Sequence, residues 1–297
     1  MKVSEDPLYV KYDRRKSHHT LIVGTEVSML ERITRGLCFS ILQQPNTKVY
    51  CIDGVVLAGE EEVMPFYKCF ATRSDQFSLA EVYKDVVQMI NETYDALCFK
   101  KKTKDSSAIF LFFSNLQYLD LVKRMLRGET IDESEYIDME QEESETAIAE
   151  SVVEEEKDFF DFGLELGGFA KKLDSPFVEK TDRTQSLNVS EKLLKLVTEG
   201  SSVGIHLIIS CLEFQTIKET LCEVNRNVNK LIQKFPERFL FAMNDLDAAM
   251  LMDPSVAVSG LPEHTVYYTD SINQTCMVKP FCFPELEQLQ EFVASEV

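Results

Sequence analysis

The sequence predicts an α/β domain with a mainly parallel central sheet and helices on both faces, and three observations predict it. His19 to Thr25, HTLIVGT, is a short apolar run that ends at a glycine and opens directly into a helical pattern. Ala108 to Asn115 and Gly204 to Cys211 are continuous apolar runs of the kind a strand buried on both faces requires. Amphipathic stretches separate these runs, so strands and helices alternate as in a parallel sheet with crossover helices.

Taken in order, Val27, Leu30, Ile33, Leu37 and Ile41 recur at helical spacing after Gly24, and Pro45 with Asn46 ends that helix. Lys48 to Gly54 reads as a second strand, which completes a β-α-β unit. Ser78, with Glu81 three residues on, has the spacing of a capping box and predicts a long helix that closes on Lys100, Lys101, Lys102 and Lys104, cations suited to its negative pole. The Ala108 strand follows, then a helix stopped at Gly128. Ser190 to Gly200 reads as a capped helix and Thr216 to Phe235 as largely helical. Arg238 to Met243 reads as a strand and Asn244 to Met252 as a short helix. Two more short strands and a helix after Pro284 close the chain.

At 297 residues and 44% hydrophobic, the chain has enough apolar material for a sizeable core, and we read residues 1–297 as one domain. Residues 129–188 read as an acidic, partly mobile insertion within it. Fourteen acidic residues and one lysine lie between Glu129 and Asp158, so this stretch carries two thirds of the net charge of -19. That balance argues against a surface that grips nucleic-acid phosphates. No apolar run approaches the roughly 20 residues of a membrane span. The N-terminal MKVSEDPLYVKYDRRK also lacks the apolar stretch of a secretion signal, so the expected location is cytoplasmic. The eight cysteines are scattered without a CxxC pair and read as reduced core residues. His18 and His19 read as surface residues, His206 as a core or sheet-edge histidine, and Asp53 as a turn cap. No metal site is expected.

Strand, glycine and helix give Gly24 the context of a phosphate-binding loop, in which GxxxxGK[ST] holds phosphates on backbone amides and lysine and a metal ion on the hydroxyl. The eight positions here are Gly24, Thr25, Glu26, Val27, Ser28, Met29, Leu30 and Glu31, so Met29, Leu30 and Glu31 stand where glycine, lysine and hydroxyl belong. The strand that would carry the acidic pair for magnesium and water ends instead in Ser114 and Asn115, neither a general base near neutral pH. Lys16, Arg32 and Arg35 are the cations that a surviving nucleotide site would have to borrow.

The chain resembles the RecA-like motor domain of the FtsK/SpoIIIE family. The stretch EGSSVGIHLIISC (Glu199 to Cys211) looks like that family's helix, small-residue turn and sensor strand, with Ser210 and Cys211 where Thr-Gln is typical. TLIVGTEVSML, VYCIDG, the helix with Met89 and Tyr94, RFLFAMNDLDAAMLM and CMVKPFCFPELEQL agree with it in order, outside residues 129–188. The resemblance implies a RecA-like P-loop NTPase fold. It also implies a bacterial setting beside an active ATPase domain or subunit, since degenerate copies follow active ones in FtsK-like DNA translocases and in the EssC/EccC secretion ATPases. The expectation is a pseudo-ATPase with a structural or regulatory role, not an enzyme itself. It would take no cofactor, with ATP and magnesium only if residual binding survives, and would reach DNA through its partner; homo-oligomerisation stays open. The alternatives are a nucleotide-binding translocase subunit and a substrate-binding pseudo-ATPase of type VII secretion, with an apolar peptide under Gly24.

Overall fold

Thr20–Val23, the first strand, is buried along its whole length in a computed structural model that describes residues 10, 12, 18–59, 64–70, 76–103, 105–132, 187–223, 231–270 and 274–280. Among these residues the chain runs β1 (Thr20–Val23), α1 (Val27–Leu42), β2 (Thr47–Asp53), α2 (Gly54–Leu57), α3 (Met64–Lys68), β3 (Phe77–Leu79), α4 (Tyr83–Lys102) and β4 (Ala108–Ser114). It continues through α5 (Asp120–Leu126), α6 (Val189–Glu199), β5 (Ile205–Cys211), α7 (Phe214–Ile217), β6 (Glu237–Leu240), α8 (Asp245–Ala248), β7 (Val266–Thr269) and β8 (Thr275–Val278).

The strands form one sheet in the order β3-β2-β4-β5-β1-β6-β7-β8. From β3 to β6 neighbours pair in parallel, and β7 and β8 extend the edge antiparallel. The sheet is therefore mainly parallel, as the sequence predicts. The connection through α1 carries the chain from β1 past β5 and β4 to β2.

Alternation along the buried strands divides the core in two. Leu21, Val23, Tyr50, Ile52, Leu111, Phe113, Leu207 and Ile209 join the apolar faces of α4, α5 and α6. Ile22, Val49, Cys51, Phe110, Phe112 and Ile208 face the other way and meet Met29, Leu30, Ile33, Cys38, Ile41 and Leu42 of α1. A fully buried Leu or Ile contributes about 1.5–3 kcal/mol, so these two layers carry most of the stability.

Several local readings change. Ser78 caps nothing, because Phe77–Leu79 pairs with Val49–Cys51 as an edge strand. Helix α4 starts at Tyr83, where the Asp85 carboxylate accepts the backbone N–H of Val82 at 3.2 Å and of Glu81 at 3.0 Å. Helix α6 is capped by Asn188, whose side chain accepts the Glu191 N–H at 2.8 Å while Glu191 returns a bond to the Asn188 N–H at 3.1 Å. The stretch from Thr216, read as largely helical, is helical where described but in short pieces: α7, a π turn at Lys218–Cys222 and a 3-10 turn at Leu231–Lys234, with 224–230 outside the described residues. The helix after Pro284 and most of the acidic insertion also lie outside them. The first residue of the insertion meets the helix that follows it: Ser190 Oγ of α6 donates to the Glu129 carbonyl at 2.5 Å. No helix among the described residues is long and apolar enough to cross a membrane.

Candidate functional site

In a parallel sheet of this kind ligands bind beyond the carboxyl ends of the strands, where the connections diverge. Here that place is the end of β1, flanked by β5 and β6. Three residues, Gly24, Thr25 and Glu26, separate β1 from α1. They are held closely. The Gly24 N–H donates to the Cys211 carbonyl at 3.4 Å, and the Thr25 N–H and hydroxyl both donate to the Ala242 carbonyl. Phe241 lies over the glycine: a β-carbon at residue 24 would fall 2.2 Å from the Phe241 carbonyl oxygen and 2.5 Å from its ring. Gly24 is therefore required by packing against the end of β6.

Helix α1 begins before the positions that would hold phosphate are reached. Val27 and Ser28 are exposed in its first turn, and Ser28 Oγ donates to the Glu26 carboxylate at 3.0 Å. Met29 and Leu30, each 1% exposed, are core residues on the sheet-facing side of the helix. Glu31 pairs with Arg35 at 3.3 Å, and the Arg35 guanidinium also lies over the Phe66 ring, 5.2 Å from its centroid. Arg35 is thus engaged at the helix surface instead of simply facing solvent.

The ends of β2, β4 and β5 carry a second group. Asp53, 2% exposed, accepts the Val55 N–H at 2.9 Å, the Tyr67 hydroxyl at 2.5 Å and the Asn115 amide at 3.0 Å. Three donors occupy most of what a carboxylate can accept, so Asp53 is committed to structure. Its expected turn-capping bond, to Val55, is present. Burial raises the Tyr67 pKa well above its ordinary value and keeps the phenol protonated as a donor. Asn115 sits in the left-handed region (φ 55°), and its N–H donates to Ser210 Oγ at 3.2 Å. Gln117 closes the row by accepting the Leu212 N–H at 3.2 Å. Cys211 Sγ donates to the Glu213 carbonyl at 3.3 Å, and burial pushes its pKa up to about 11, away from thiolate chemistry.

The fold thus brings Asp53, Ser114, Asn115 and Ser210 together under Leu30, Glu31, Thr34 and Arg35 around a void of about 10 Å³. Gly24 and Thr25 instead line a separate cleft of about 280 Å³ with Leu212, Phe214, Met243 and Asp247. Tyr67, Thr34 and Gln117 escaped the sequence reading, because no motif marks them. No cluster that could hold a metal ion occurs among the described residues.

The histidines correct another expectation. His18 and His19 are 4% and 0% exposed. His18 Nδ1 meets the Glu237 carboxylate at 2.9 Å, while His19 contacts the Val197 carbonyl and the Leu207 N–H. His206 is a core histidine, as expected, bonded to the His18 carbonyl at 2.8 Å. The described cysteines are free, and Cys38, Cys51, Cys69 and Cys211 are buried.

Sheet order and crossover connections make the chain an α/β domain with a mainly parallel central sheet, the fold class that the sequence predicts. No family model and no curated protein matches it. Among solved structures it is similar to Thermomonospora curvata EccC (ATPases 2 and 3) in complex with a signal sequence peptide, at 11% identity and TM-score 0.54, covering 94% of this chain and 39% of that one. It is also similar to the cytoplasmic domain of the T. curvata type VII secretion ATPase EccC (12%, TM-score 0.51, 94% and 25% covered). A third match is EssC (ATPases 2 and 3) from Geobacillus thermodenitrificans (11%, TM-score 0.50, 94% and 43% covered). The chain spans less than half the length of each, and at these identities the likeness establishes the fold.

Proposed function

We propose that this chain is a catalytically silent ATPase-type domain that serves a structural or regulatory role beside an active ATPase domain or subunit. One observation carries the reading: the residues in place of the phosphate-loop glycine and lysine, Met29 and Leu30, are buried inside a helix that has already begun at Val27. A lysine at residue 30 would have to desolvate its ammonium where an apolar side chain only 1% exposed now packs, which is costly. Glu26 and Glu31 add negative charge where a triphosphate would sit. The expected hydrolytic positions, Ser114 and Asn115, supply no base, and Asp53 is saturated with donors. On this reading no cofactor is needed, the location is cytoplasmic, and any action on DNA runs through the partner. Anisotropy of a fluorescent ATP analogue with magnesium tests it: the chain is expected to leave the probe free at millimolar nucleotide, whereas saturable micromolar binding would sink the proposal.

The cleft beside Gly24 favours a second reading, a substrate-binding pseudo-ATPase domain. Leu212, Phe214 and Met243 offer it an apolar lining at the place where a sheet of this class receives ligands. Tritrating the chain with short apolar peptides separates the two, since saturable binding lost in Phe214→Asp supports this role and its absence removes it.

A further inference from the structure

The first half of β6 carries a cation without a counter-ion among the described residues. Arg238 pairs with Leu21 on one side and Thr269 on the other. Its guanidinium donates through Nε to the Phe235 carbonyl at 2.8 Å, through Nη2 to the Ile232 carbonyl at 3.1 Å and through Nη1 to the Leu251 carbonyl. An arginine has five N–H donors, so one remains on each Nη. Among the described residues no carboxylate pairs with it. Neutral carbonyls solvate the charge without neutralising it, and burial lowers the arginine's pKa, which an adjacent anion would offset.

Beside the guanidinium opens a cleft of about 390 Å³, with Met250, Met252 and Pro254 on one wall and Thr269 and Thr275 on another. The two threonine hydroxyls lie 3.0 Å apart, so one donates to the other and the second keeps a proton to give. Asp253 also lines the cleft and Asp270 follows Thr269, and each accepts from its own turn: Asp253 from the Ser255 N–H at 2.9 Å, Asp270 from the Gln274 N–H at 2.9 Å. Phe241, which covers Gly24, lies three residues farther along the chain, so this cleft is distinct from the one beside the glycine.

We propose that this cleft is a carboxylate-binding site, in which the remaining Nη donors of Arg238 and a threonine hydroxyl hold the two oxygens and the methionine wall receives the carbon body. Paired guanidinium donors hold a carboxylate bidentately, and the methionine wall suits a carbon body that inorganic phosphate lacks. The carboxylate could belong to a free small acid or to an acidic side chain of a peptide, and the test separates them.

Titration of the full chain by calorimetry at constant ionic strength, with succinate, inorganic phosphate and a short glutamate-containing peptide, is the experiment. Saturable succinate or peptide binding is expected, and whichever binds tighter names the source. Met250→Glu, at a half-exposed rim position outside the arginine's hydrogen bonds, is expected to weaken that binding at least about tenfold by like-charge repulsion. Binding of neither carboxylate, equal or tighter binding of phosphate, or an unchanged affinity in Met250→Glu would each overturn the site.

Discussion

The Phe241 carbonyl and ring occupy the space directly over Gly24, so the end of β6 closes the turn that in a phosphate-binding loop stays open. Gly24→Ala is therefore expected to destabilise the chain by about 1–3 kcal/mol through overpacking. Gly36→Ala is its control: a β-carbon there meets nothing within 4 Å, so the change is expected to stabilise α1 by about 0.5–1 kcal/mol. Urea unfolding of the two variants gives shifts of opposite sign if the packing is as described.

Tyr67→Phe removes one of the three donors to the buried Asp53 carboxylate and keeps the ring. A loss of about 1–3 kcal/mol is expected from the unpaired acceptor. Equilibrium denaturation checks this, and an unchanged midpoint would mean that Asp53 finds a substitute donor.

Thr34 Oγ1 is buried without a hydrogen-bond partner among the described residues, and it lines the void of about 10 Å³ together with Ser114. That volume is at the lower limit for one water molecule. Thr34→Val keeps the shape and deletes an unsatisfied hydroxyl, so a gain of about 1 kcal/mol is expected. A fall in Tm in calorimetry would instead show that the hydroxyl holds an ordered water.

His19 sets a pH dependence. Its neutral ring is fully paired, with Nε2–H donating to the Val197 carbonyl at 2.9 Å and Nδ1 accepting the Leu207 N–H at 3.0 Å. Protonation would aim a new donor at that N–H, and burial lowers the pKa to about 3. The unfolded chain, with an ordinary histidine pKa near 6.5, binds this proton first. The contribution is thus complete above about pH 6.5 and is lost as pH falls toward 3, at up to about 1.4 kcal/mol per pH unit. Chemical unfolding between about pH 5 and 7 is expected to show this slope and to lose it in His19→Gln.

The elements legible in the sequence are those whose signal is local. The runs at β1, β4 and β5 are apolar because both faces are buried, and α1 shows its stripe because it packs one face on the sheet. Ser78 misleads because its spacing to Glu81 imitates a cap, while pairing of Phe77–Leu79 with β2, a non-local event, decides its conformation. His18 and His19 look like surface residues for the same reason: their partners Glu237 and Val197 lie 219 and 178 positions away. At the candidate site, the replacements at Met29, Leu30, Ser114 and Asn115 are visible as letters. The closure by Phe241 depends on β6 lying beside β1, and the bond from Tyr67 to Asp53 on how α3 packs against the end of β2, and a single sequence states neither.

The central claim is that residues 24–31 no longer form a phosphate site, and amide chemical shifts of an isotopically labelled chain titrated with ATP and magnesium test it most directly. The account predicts no saturable shift at Gly24, Thr25, Glu26, Val27 or Ser28 up to millimolar nucleotide. Saturable shifts confined to these amides would contradict it and return the chain to the nucleotide-binding class.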